Sequence, residues 1–393
     1  MNFMKRAAYF LLLVISGLGC KKPYNPPAIT GNAGYLVVEG VINSGSDSTI
    51  IKLSKTVNVS GPNAISPVLN AVVAVVSDQG VNFPLTETAS GNYVAVDLNL
   101  DKTHQYRLSI KTSDNKQYQS DLVPPTVTPP IDSIGYNIIN TAGETGIQIY
   151  VNTHDPANTL KYYRWDYDEA WAFRAKYISF YVSNGTTLVV RQPDQDVSYC
   201  YANDVSSTIV LGSSAKLKQD VLYQSPIIFI ASTSEKIESE YSILLRQYAL
   251  TADAYNFWTG LKKNTEQLGS IFDAQPSQLQ GNIHCLTNPS EPVIGYISVC
   301  KVSSKRIFIS NINLPAWVPT YPYDCSDYNV KFDTVHTYGY NFYNDLVNDA
   351  ASFLATGPPP LPGNALPSII NYTHRYCADC TIRGTTKAPS FWK

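Results

Sequence analysis

Short runs of alternating apolar and polar residues, separated by turn residues, fill the chain between positions 35 and 121. A period of two places one side chain in a core and the next in solvent, as in a half-buried β-strand. The runs are YLVVEGVI (35–42), STIIKLS (48–54), NAVVAVVS (70–77), GNYVAV (91–96), HQYRLSIKT (104–112) and KQYQSD (116–121). Short strands at this spacing predict an immunoglobulin-like β-sandwich over residues 35–123.

Two proline pairs follow the last of these runs, at Pro124-Pro125 and Pro129-Pro130. Proline has no N–H group for a sheet ladder and its φ is fixed, so paired prolines favour an extended linker. We therefore place a linker at residues 124–131. It separates the sandwich from a larger β-rich domain predicted over residues 132–393.

The clearest strand of the second domain is LKYYRWDYDEAWAF, at residues 160–173. A period of two divides it into a buried aromatic face and a wet charged face. The aromatic face carries Tyr163, Trp165 and Tyr167, and the charged face carries Arg164, Asp166 and Asp168.

Helical periodicity begins after Thr251, which is a good N-cap residue, and predicts one main helix at about residues 252–267. A weaker helical pattern covers residues 341–356, inside a long segment at 314–368 that otherwise lacks periodicity. We expect long loops in this region, held by disulfides.

The first 20 residues, MNFMKRAAYFLLLVISGLGC, contain two basic residues, an apolar run and a final cysteine. This pattern predicts a secretory signal, and the apolar run is too short for a helix that spans a bilayer. The ending GLGC resembles the lipobox of bacterial lipoproteins. We expect a signal peptide over residues 1–19, lipid attachment at Cys20 and a tether over residues 20–34. The alternative is a plain signal peptide, in which Cys20 has no special role.

The low charge of the chain argues against a nucleic-acid partner. Charged residues make up 15% of the sequence, below the roughly 25% that is usual in soluble proteins. The net charge is -2 and no basic block is present, whereas nucleic-acid binding requires a basic surface. Tyrosine supplies 28 residues, so hydroxyl groups contribute much of the polarity.

Six cysteines remain besides Cys20. They are Cys200, Cys285, Cys300, Cys325, Cys377 and Cys380. An even number in an exported chain predicts three disulfides, whose pairing the sequence leaves open. The Cys-x-x-Cys formed by Cys377 and Cys380 could instead hold zinc with His374, or exchange disulfides, but neither a second ligand pair nor a following helix accompanies it. A direct bond between the two would be strained, so we expect each to pair with a distant cysteine.

Motifs for catalysis are missing from the sequence, which contains no Gly-x-Ser-x-Gly, no His-Glu-x-x-His and no glycine-rich phosphate loop. The carboxylates Asp166, Asp168 and Glu169 could bind calcium or act as an acid/base pair. They lack the spacing and the glycine of a calcium loop, and we interpret them as a solvated strand face. No enzymatic activity, metal or cofactor is expected.

Aromatic residues are concentrated between positions 317 and 343, in two stretches that lack regular periodicity. Tyr and Trp on constrained loops suit recognition surfaces, because they offer large contact area at low entropic cost. The candidates are Trp317, Tyr321, Tyr323, Tyr328, Tyr338, Tyr340 and Tyr343. The alternative for most of them is a role as core residues beneath the loops.

The chain resembles the Bacteroidetes outer-membrane lipoproteins catalogued as domain of unknown function 4249. The resemblance rests on YLVVEGVINS, on the passage YSILLRQYALTADAYNFWTGLKKNTEQLGSIFDAQPSQLQGNI, on EPVIGYISV and on the ending CADCTIRGTTKAPSFW. It covers residues 35–393 and implies a place in the cell envelope, with no catalytic residues to transfer.

The resemblance implies an accessory or substrate-binding lipoprotein that works with a TonB-dependent β-barrel receptor. The alternative is a structural or adhesive envelope protein. Lys21 and Lys22, directly after the lipid cysteine, favour the periplasmic face of the outer membrane, since exported surface lipoproteins of this group commonly carry acidic residues there.

Overall fold

A computed structural model describes residues 34–57, 66–266, 280–321, 323–331, 346–349, 352–360, 362–364, 367 and 369–392. The protein is mainly β, as the sequence predicted. The strands of the first part are β1 (Leu36–Asn43), β2 (Thr49–Lys55), β3 (Ser66–Pro67), β4 (Val72–Ser77), β5 (Asn82–Ala89), β6 (Asn92–Ala95), β7 (Tyr106–Lys111), β8 (Gln117–Ser120), β9 (Thr126–Val127), β10 (Ile131–Thr141), β11 (Glu144–His154) and β12 (Tyr162–Arg174).

The later strands are β13 (Tyr181–Ser183), β14 (Leu188–Val190), β15 (Tyr199–Val205), β16 (Val210–Ser213), β17 (Val221–Ala231), β18 (Glu240–Leu250), β19 (Ile283–Cys285), β20 (Val299–Lys301), β21 (Ser303–Ser310), β22 (Tyr328–Lys331), β23 (Phe353–Gly357) and β24 (Ile369–His374). The α-helices include α1 (Ala252–Glu266) and α2 (Arg375–Ala378). Short 3₁₀ turns lie at Pro193–Gln195, Glu235–Ile237, Asn311–Asn313, Pro362–Asn364 and Cys380–Ile382.

The first sandwich turns its corner at β5, which takes part in both halves of the sheet. Residues 82–85 pair with β4, and residues 86–89 pair with β6. A strand that changes partner part-way along allows a sheet to fold over on itself. The strand path is β19-β8-β7-β4-β5-β6-β2-β1-β20-β9, and Ile51, Val75 and Leu108 from different strands share one core. The sandwich predicted for the N-terminal part is confirmed.

Residues far along the chain complete this first sandwich. β19 pairs with β8, and β20 lies parallel between β1 and β9. Ile283, Val293 and Ile297 are buried in the same core. The predicted division at 124–131 assigns these residues to the second domain, whereas the structure places them in the first. Local sequence specifies a strand but leaves its distant partner unspecified.

The second domain is also a sandwich. A three-stranded sheet, β10-β11-β17, faces a sheet of β15, β12, β18 and β21, in which β16 also pairs with β12. Ile149 and Val151 of the first sheet meet Trp165 and Ile243 of the second in one core. Val302 alone separates β20 of the first sandwich from β21 of the second, so a short link holds the two sandwiches side by side.

The main helix α1 matches the helix predicted at about residues 252–267, of which residue 267 lies outside the described residues. Thr251 caps its start, since the Thr251 hydroxyl accepts a hydrogen bond from the backbone N–H of Ala254. Ala254 and Phe257 are buried, and the helix lies against β12, β16 and β18.

A small antiparallel sheet, β22-β24-β23, follows near the C-terminus. The sequence predicted loops and a weak helix at residues 341–356. Residues 346–348 are helical and residues 341–345, 350 and 351 lie outside the described residues, but Phe353–Gly357 is a strand. That prediction was wrong at its C-terminal end, because pairing with β24 overrides a weak local helical pattern. Among the described residues, no helix combines the length and apolar character needed to cross a membrane.

Candidate ligand-binding cleft

The outer face of the five-stranded sheet forms the floor of a cleft between the two sandwiches. Alternate residues of β12 point into the second core, and the others point outward to this floor. In the antiparallel register Arg164 lies opposite Tyr248 of β18, and Asp166 lies opposite Arg246. Asp168 follows on the same face of β12. This register places two guanidinium and two carboxylate groups side by side.

Arg246 holds both aspartates of the floor. Its Nη1 donates to Asp166 Oδ1 at 3.1 Å and to Asp168 Oδ1 at 3.0 Å, and its Nη2 donates to Asp168 Oδ2. Burial alone would lower the pKa of Arg246, but the hydrogen bonds and charges of the two aspartates outweigh it, and the pKa lies above its ordinary value. The guanidinium therefore stays charged and fixes the geometry of the floor.

Arg164 lies between two aromatic rings. Its Cζ is 4.6 Å from the centroid of the Tyr248 ring and 4.3 Å from that of Trp258, and its Nη2 lies 3.5 Å from Asp166. Its Nε is buried and has no hydrogen-bond partner among the described residues. Burial, and then the charge of Asp166, raise the pKa of Tyr248 above its ordinary value. The stack joins α1 to the sheet.

The two ends of the floor are covered by different parts of the chain. At one end stand Phe257, Trp258 and Leu261 of α1. At the other end the C-terminal tail covers the sheet, where Arg306 of β21 lies 3.7 Å from the centroid of the Phe391 ring. The middle of the floor, with its charged residues, remains open.

The first sandwich provides the roof of the cleft through β1 and the exposed Ile50. Gly40 allows a close approach here: its φ is +140°, and a Cβ at this position would lie 2.3 Å from the backbone oxygen of Ile50. The cleft has a main chamber of about 790 Å³ and a side chamber of about 530 Å³. Both chambers are lined by Glu39, Gly40, Ile50, Arg164, Asp166 and Arg246.

The loop between β15 and β16 forms one side of the main chamber. Ser206 N–H donates to Tyr167 O at 2.8 Å, and Ile209 N–H donates to Glu266 Oε1 of α1 at 2.6 Å. The loop is thus fastened at both ends, and the side chain of Val205, the last residue of β15 before the loop, is 61% exposed. An apolar group is held in place at the mouth of the cleft.

The charged face predicted on β12 is present, with Asp166 and Asp168 on the cleft floor. Glu169 is an exception, because it lies on the buried face and is 3% exposed. Its carboxylate binds Lys236 Nζ and Tyr241 Oη, each at 2.7 Å. The interpretation of Glu169 as solvated was wrong: period two assigns odd-numbered residues of β12 to the core, and an internal ion pair compensates its burial.

Four of the seven candidate recognition aromatics lie in the described part of the chain. Trp317 packs against the second core. Tyr321 donates to Glu238 Oε1 at 3.2 Å, and burial raises its pKa to about 12. Tyr323 and Tyr328 are exposed. The other three, Tyr338, Tyr340 and Tyr343, lie outside the described residues.

Tyr323 and Tyr328 stand at the two ends of an aromatic row on the small sheet. The row runs Tyr328, Tyr372, Phe353, His374, Tyr376 and Tyr323, and successive ring centroids are 4.7–5.9 Å apart. The rings pack largely against one another. The row therefore stiffens the small sheet, and none of its six members lines the interdomain cleft.

Two disulfides are present among the described residues, Cys200–Cys380 and Cys325–Cys377. Both cysteines of the Cys-x-x-Cys thus pair with distant partners, as expected. The prediction of a third disulfide was wrong, because Cys285 and Cys300 are free, buried thiols. They lie on β19 and β20, which are far apart along the strand path of the first sandwich.

The two disulfides hold the C-terminal segment in place from two sides. Cys380 is bonded to β15 of the second sandwich, and Cys377 is bonded to the segment just before β22 of the small sheet. Beyond Cys380, the Trp392 ring packs edge-on against Tyr201 and Phe308. The Cys-x-x-Cys therefore fastens the small sheet and the tail to the second sandwich.

The other predicted residues in the described part of the chain do not line the cleft. Cys20 lies outside the described residues. Within the described ranges no group of three or more His, Cys, Asp or Glu side chains could hold a metal ion. His154 pairs with Asp132 at 2.8 Å on the surface.

Sequence reasoning missed Arg246 and the stacking role of Trp258. Arg246 is the single charge in the apolar run YSILLRQYAL, and that isolation was a usable signal for an ion pair. For Trp258 no signal was available, since its contact with Arg164 depends on how α1 docks on the sheet. The roof residues were equally hidden, because they come from the other sandwich.

These features define a class of protein: two β-sandwiches with a charged and aromatic cleft between them. The chain belongs to the family described as Domain of unknown function (DUF4249), whose model matches residues 21–306. No curated protein matches the chain. It is similar to the crystal structure of trypsin-activated alpha-2-macroglobulin from Escherichia coli, at 10% identity and a TM-score of 0.19. That similarity covers 58% of this chain and 15% of the other.

Proposed function

We propose that this protein is a lipid-anchored outer-membrane lipoprotein that binds a ligand as a non-catalytic accessory of a TonB-dependent transporter. The interdomain cleft is the observation that supports binding. Its main chamber has a volume of about 790 Å³, which lies within the usual range of small-ligand sites. Its walls come from two separate sandwiches.

The arrangement of charges supports a binding role over a catalytic one. Asp166 and Asp168 both accept hydrogen bonds from Arg246, and the guanidinium of Arg164 is stacked between rings. A catalytic acid or base needs a group that can exchange a proton with its substrate. Carboxylates that are held by an arginine instead orient a ligand and supply acceptors.

The N-terminal sequence supports the membrane anchor. A signal followed by GLGC places a cysteine at position 20, and the proposed lipid on its sulfur would hold the chain at the membrane surface. The 13 residues at 21–33 separate Cys20 from Gly34, where the first described residues begin. At about 3.3 Å per residue, an extended tether of this length reaches about 45 Å. The sandwiches could then work beside a barrel in the same membrane.

The association with a barrel is tested by isolating the full-length lipoprotein from native outer membrane in mild detergent. We expect a TonB-dependent β-barrel to co-purify with the wild-type chain. Recovery of the lipoprotein alone under the gentlest conditions would contradict the proposal. A Cys20→Ala variant should no longer be found in the membrane fraction. Protease treatment of whole cells tests which face of the membrane the protein occupies, and the wild-type protein should stay intact if it faces the periplasm.

The cleft should contribute to the transporter's task. We expect both the Ile50→Ser and the Val72→Ser variants to keep their membrane location, and only Ile50→Ser to reduce ligand uptake. Both residues are exposed on strands of the first sandwich, but only Ile50 lines the cleft. Equal uptake in the two variants would remove the cleft from the proposal.

A further inference from the structure

The interdomain cleft combines two kinds of surface that together specify a ligand class. Three large apolar side chains are exposed within it. They are Ile50 from the roof, Val205 from the end of β15 and Ile294 from the first sandwich. Exposed apolar groups that converge on one concave site indicate a partner with an apolar body.

The charges that line the cleft are mostly negative. Five carboxylates line its two chambers, from Glu39, Asp47, Asp166, Asp168 and Glu266. Two guanidinium groups line it as well, those of Arg164 and Arg246, and both already have carboxylate or aromatic partners. The lining residues therefore carry a net charge of -3 at neutral pH.

Lysines near the rim leave this imbalance in place. Lys52 Nζ lies 3.8 Å from Glu39, and Lys262 Nζ lies 3.7 Å from Glu266. Both distances are long for a hydrogen bond, and neither lysine lines the cleft. Exposed pairs of this kind contribute little, and the Lys262 ammonium group instead donates to the backbone oxygen of Ile209 at 2.6 Å.

We propose that the cleft binds an amphipathic organic cation, that is, a ligand with an ammonium or guanidinium group attached to an apolar body. A peptide segment with a basic residue beside apolar residues is such a ligand. The cationic group lies against Glu39 and the floor carboxylates, and the apolar body lies against Ile50 and Val205. This inference rests on the proposed binding function and names its ligand class.

An organic cation fits better than a metal ion because Asp166 and Asp168 turn toward the planar guanidinium of Arg246. Among the described residues no set of three potential ligands converges on one point. The surface thus accommodates a diffuse positive charge with an attached apolar group, and lacks the oxygen cage that calcium requires.

The test uses dansyl cadaverine, a fluorophore with a primary ammonium group, and the purified mature chain with Cys20 replaced by Ala. We expect saturable binding that weakens with added salt. The N-acetylated probe, which has no charge, and a dansyl probe of equal length that ends in a carboxylate should bind weakly. Equal binding of the three probes, or no saturable binding, would overturn the proposal.

Two variants locate the site. Glu39→Gln should weaken the ammonium probe about threefold, and Ile50→Ser should weaken it about fivefold. Their matched controls are Glu144→Gln and Val72→Ser, exposed residues outside the cleft, which should change nothing. Equal losses in the controls would place the probe elsewhere, and competition by calcium would show a metal site instead.

Failure of this inference is separable from failure of the proposed function. A barrel that co-purifies with the lipoprotein, together with a cleft that binds the carboxylate probe best, would keep the function and reject the ligand class. Strong binding of the ammonium probe, in a protein that is recovered without any barrel, would keep the ligand class and reject the association with a transporter.

Discussion

The indole ring of Trp258 covers the guanidinium of Arg164, with 4.3 Å between the Arg164 Cζ and the ring centroid. Trp258 belongs to α1 and Arg164 to β12, so this contact fixes the helix over the cleft floor. The Tyr248 ring on the other side of the guanidinium completes the stack. Cation–π contacts of partly desolvated groups contribute about 1–2 kcal/mol each.

Replacement of Trp258 by Ala should therefore loosen α1. We expect the free energy of unfolding to fall by about 2 kcal/mol, because a half-buried ring and a cation–π contact are lost together. Urea denaturation measures this loss. Trp258→Phe keeps a ring over Arg164 and should recover at least half of it. An equal loss in both variants would show that the aromatic face contributes nothing.

Arg246 should stabilise the fold mainly through its charge and less through the volume of its side chain. Arg246→Met leaves Asp168 without its cation and leaves Asp166 with only Arg164, at 3.5 Å, and we expect a loss of about 1–3 kcal/mol in the free energy of unfolding. The estimate is at the low end for an ion pair because all three side chains are about one-third exposed. Chemical denaturation measures the change.

The control for this prediction also removes the charges of Asp166 and Asp168, and with them the repulsion between the two carboxylates. In a triple variant with Asp166→Asn, Asp168→Asn and Arg246→Met, most of the lost stability should return. Lys111→Met, which removes one charge from an exposed strand position, should have little effect. A triple variant as unstable as the single one would assign the loss to packing.

Local patterns in the sequence predicted much of the fold because they depend on neighbouring residues. Period two assigned the faces of β12, and helical spacing with Thr251 as N-cap located α1. The return of β19 and β20 to the first sandwich was beyond such reasoning. Their pairing joins residues separated by more than 160 positions, as in Ile283 with Ser120, and local hydrophobicity carries no information about that partner.

The candidate site was predicted only in part for the same reason. Asp166 and Asp168 were identified as a charged face, but their partner Arg246 lies on another strand.

The third disulfide was predicted from an even cysteine count, which assumes that every cysteine in an exported chain finds a partner. Cys285 and Cys300 occupy core positions on separate strands, and there they act as small apolar residues.

The Cys200–Cys380 disulfide should hold the C-terminal tail on the second sandwich. A Cys200→Ser/Cys380→Ser variant should lose about 2–5 kcal/mol of stability and release Trp392 from Tyr201. Tryptic cleavage at Lys387 should then become rapid. In the matched variant Cys325→Ser/Cys377→Ser the tail keeps its own disulfide, and cleavage there should stay slow. Equal cleavage in both variants would contradict this division of roles.

Free thiols should be detectable only after unfolding. Burial raises the pKa of Cys300 to about 12, so at neutral pH its reactive thiolate is scarce, and Cys285 is 2% exposed. Iodoacetamide should leave both unmodified in the native protein. In guanidinium without reductant it should modify both, while the four disulfide cysteines stay unmodified. Mass spectrometry of the peptides shows which cysteines carry the label. Labelling of Cys300 in the native protein would contradict its burial.

His154 should have a pKa above the ordinary value of a histidine. The hydrogen bond from His154 Nδ1 to Asp132 Oδ2, at 2.8 Å, and then the charge of Asp132, raise the pKa of His154. A raised folded-state pKa means that the pair stabilises the fold fully below the unfolded value of about 6.5. This contribution disappears as the pH rises through the folded-state pKa.

The measurement is an NMR titration of the His154 ring. Asp132→Asn should return its pKa towards 6.5 and should remove the part of the stability that decreases over this pH range. Asp121→Asn is the matched control, because Asp121 pairs with His284 at 3.1 Å and should leave the titration of His154 unchanged. A His154 pKa that does not respond to Asp132→Asn would show that the pair has no influence in solution, and the surface pairing would then have no part in the pH dependence of folding.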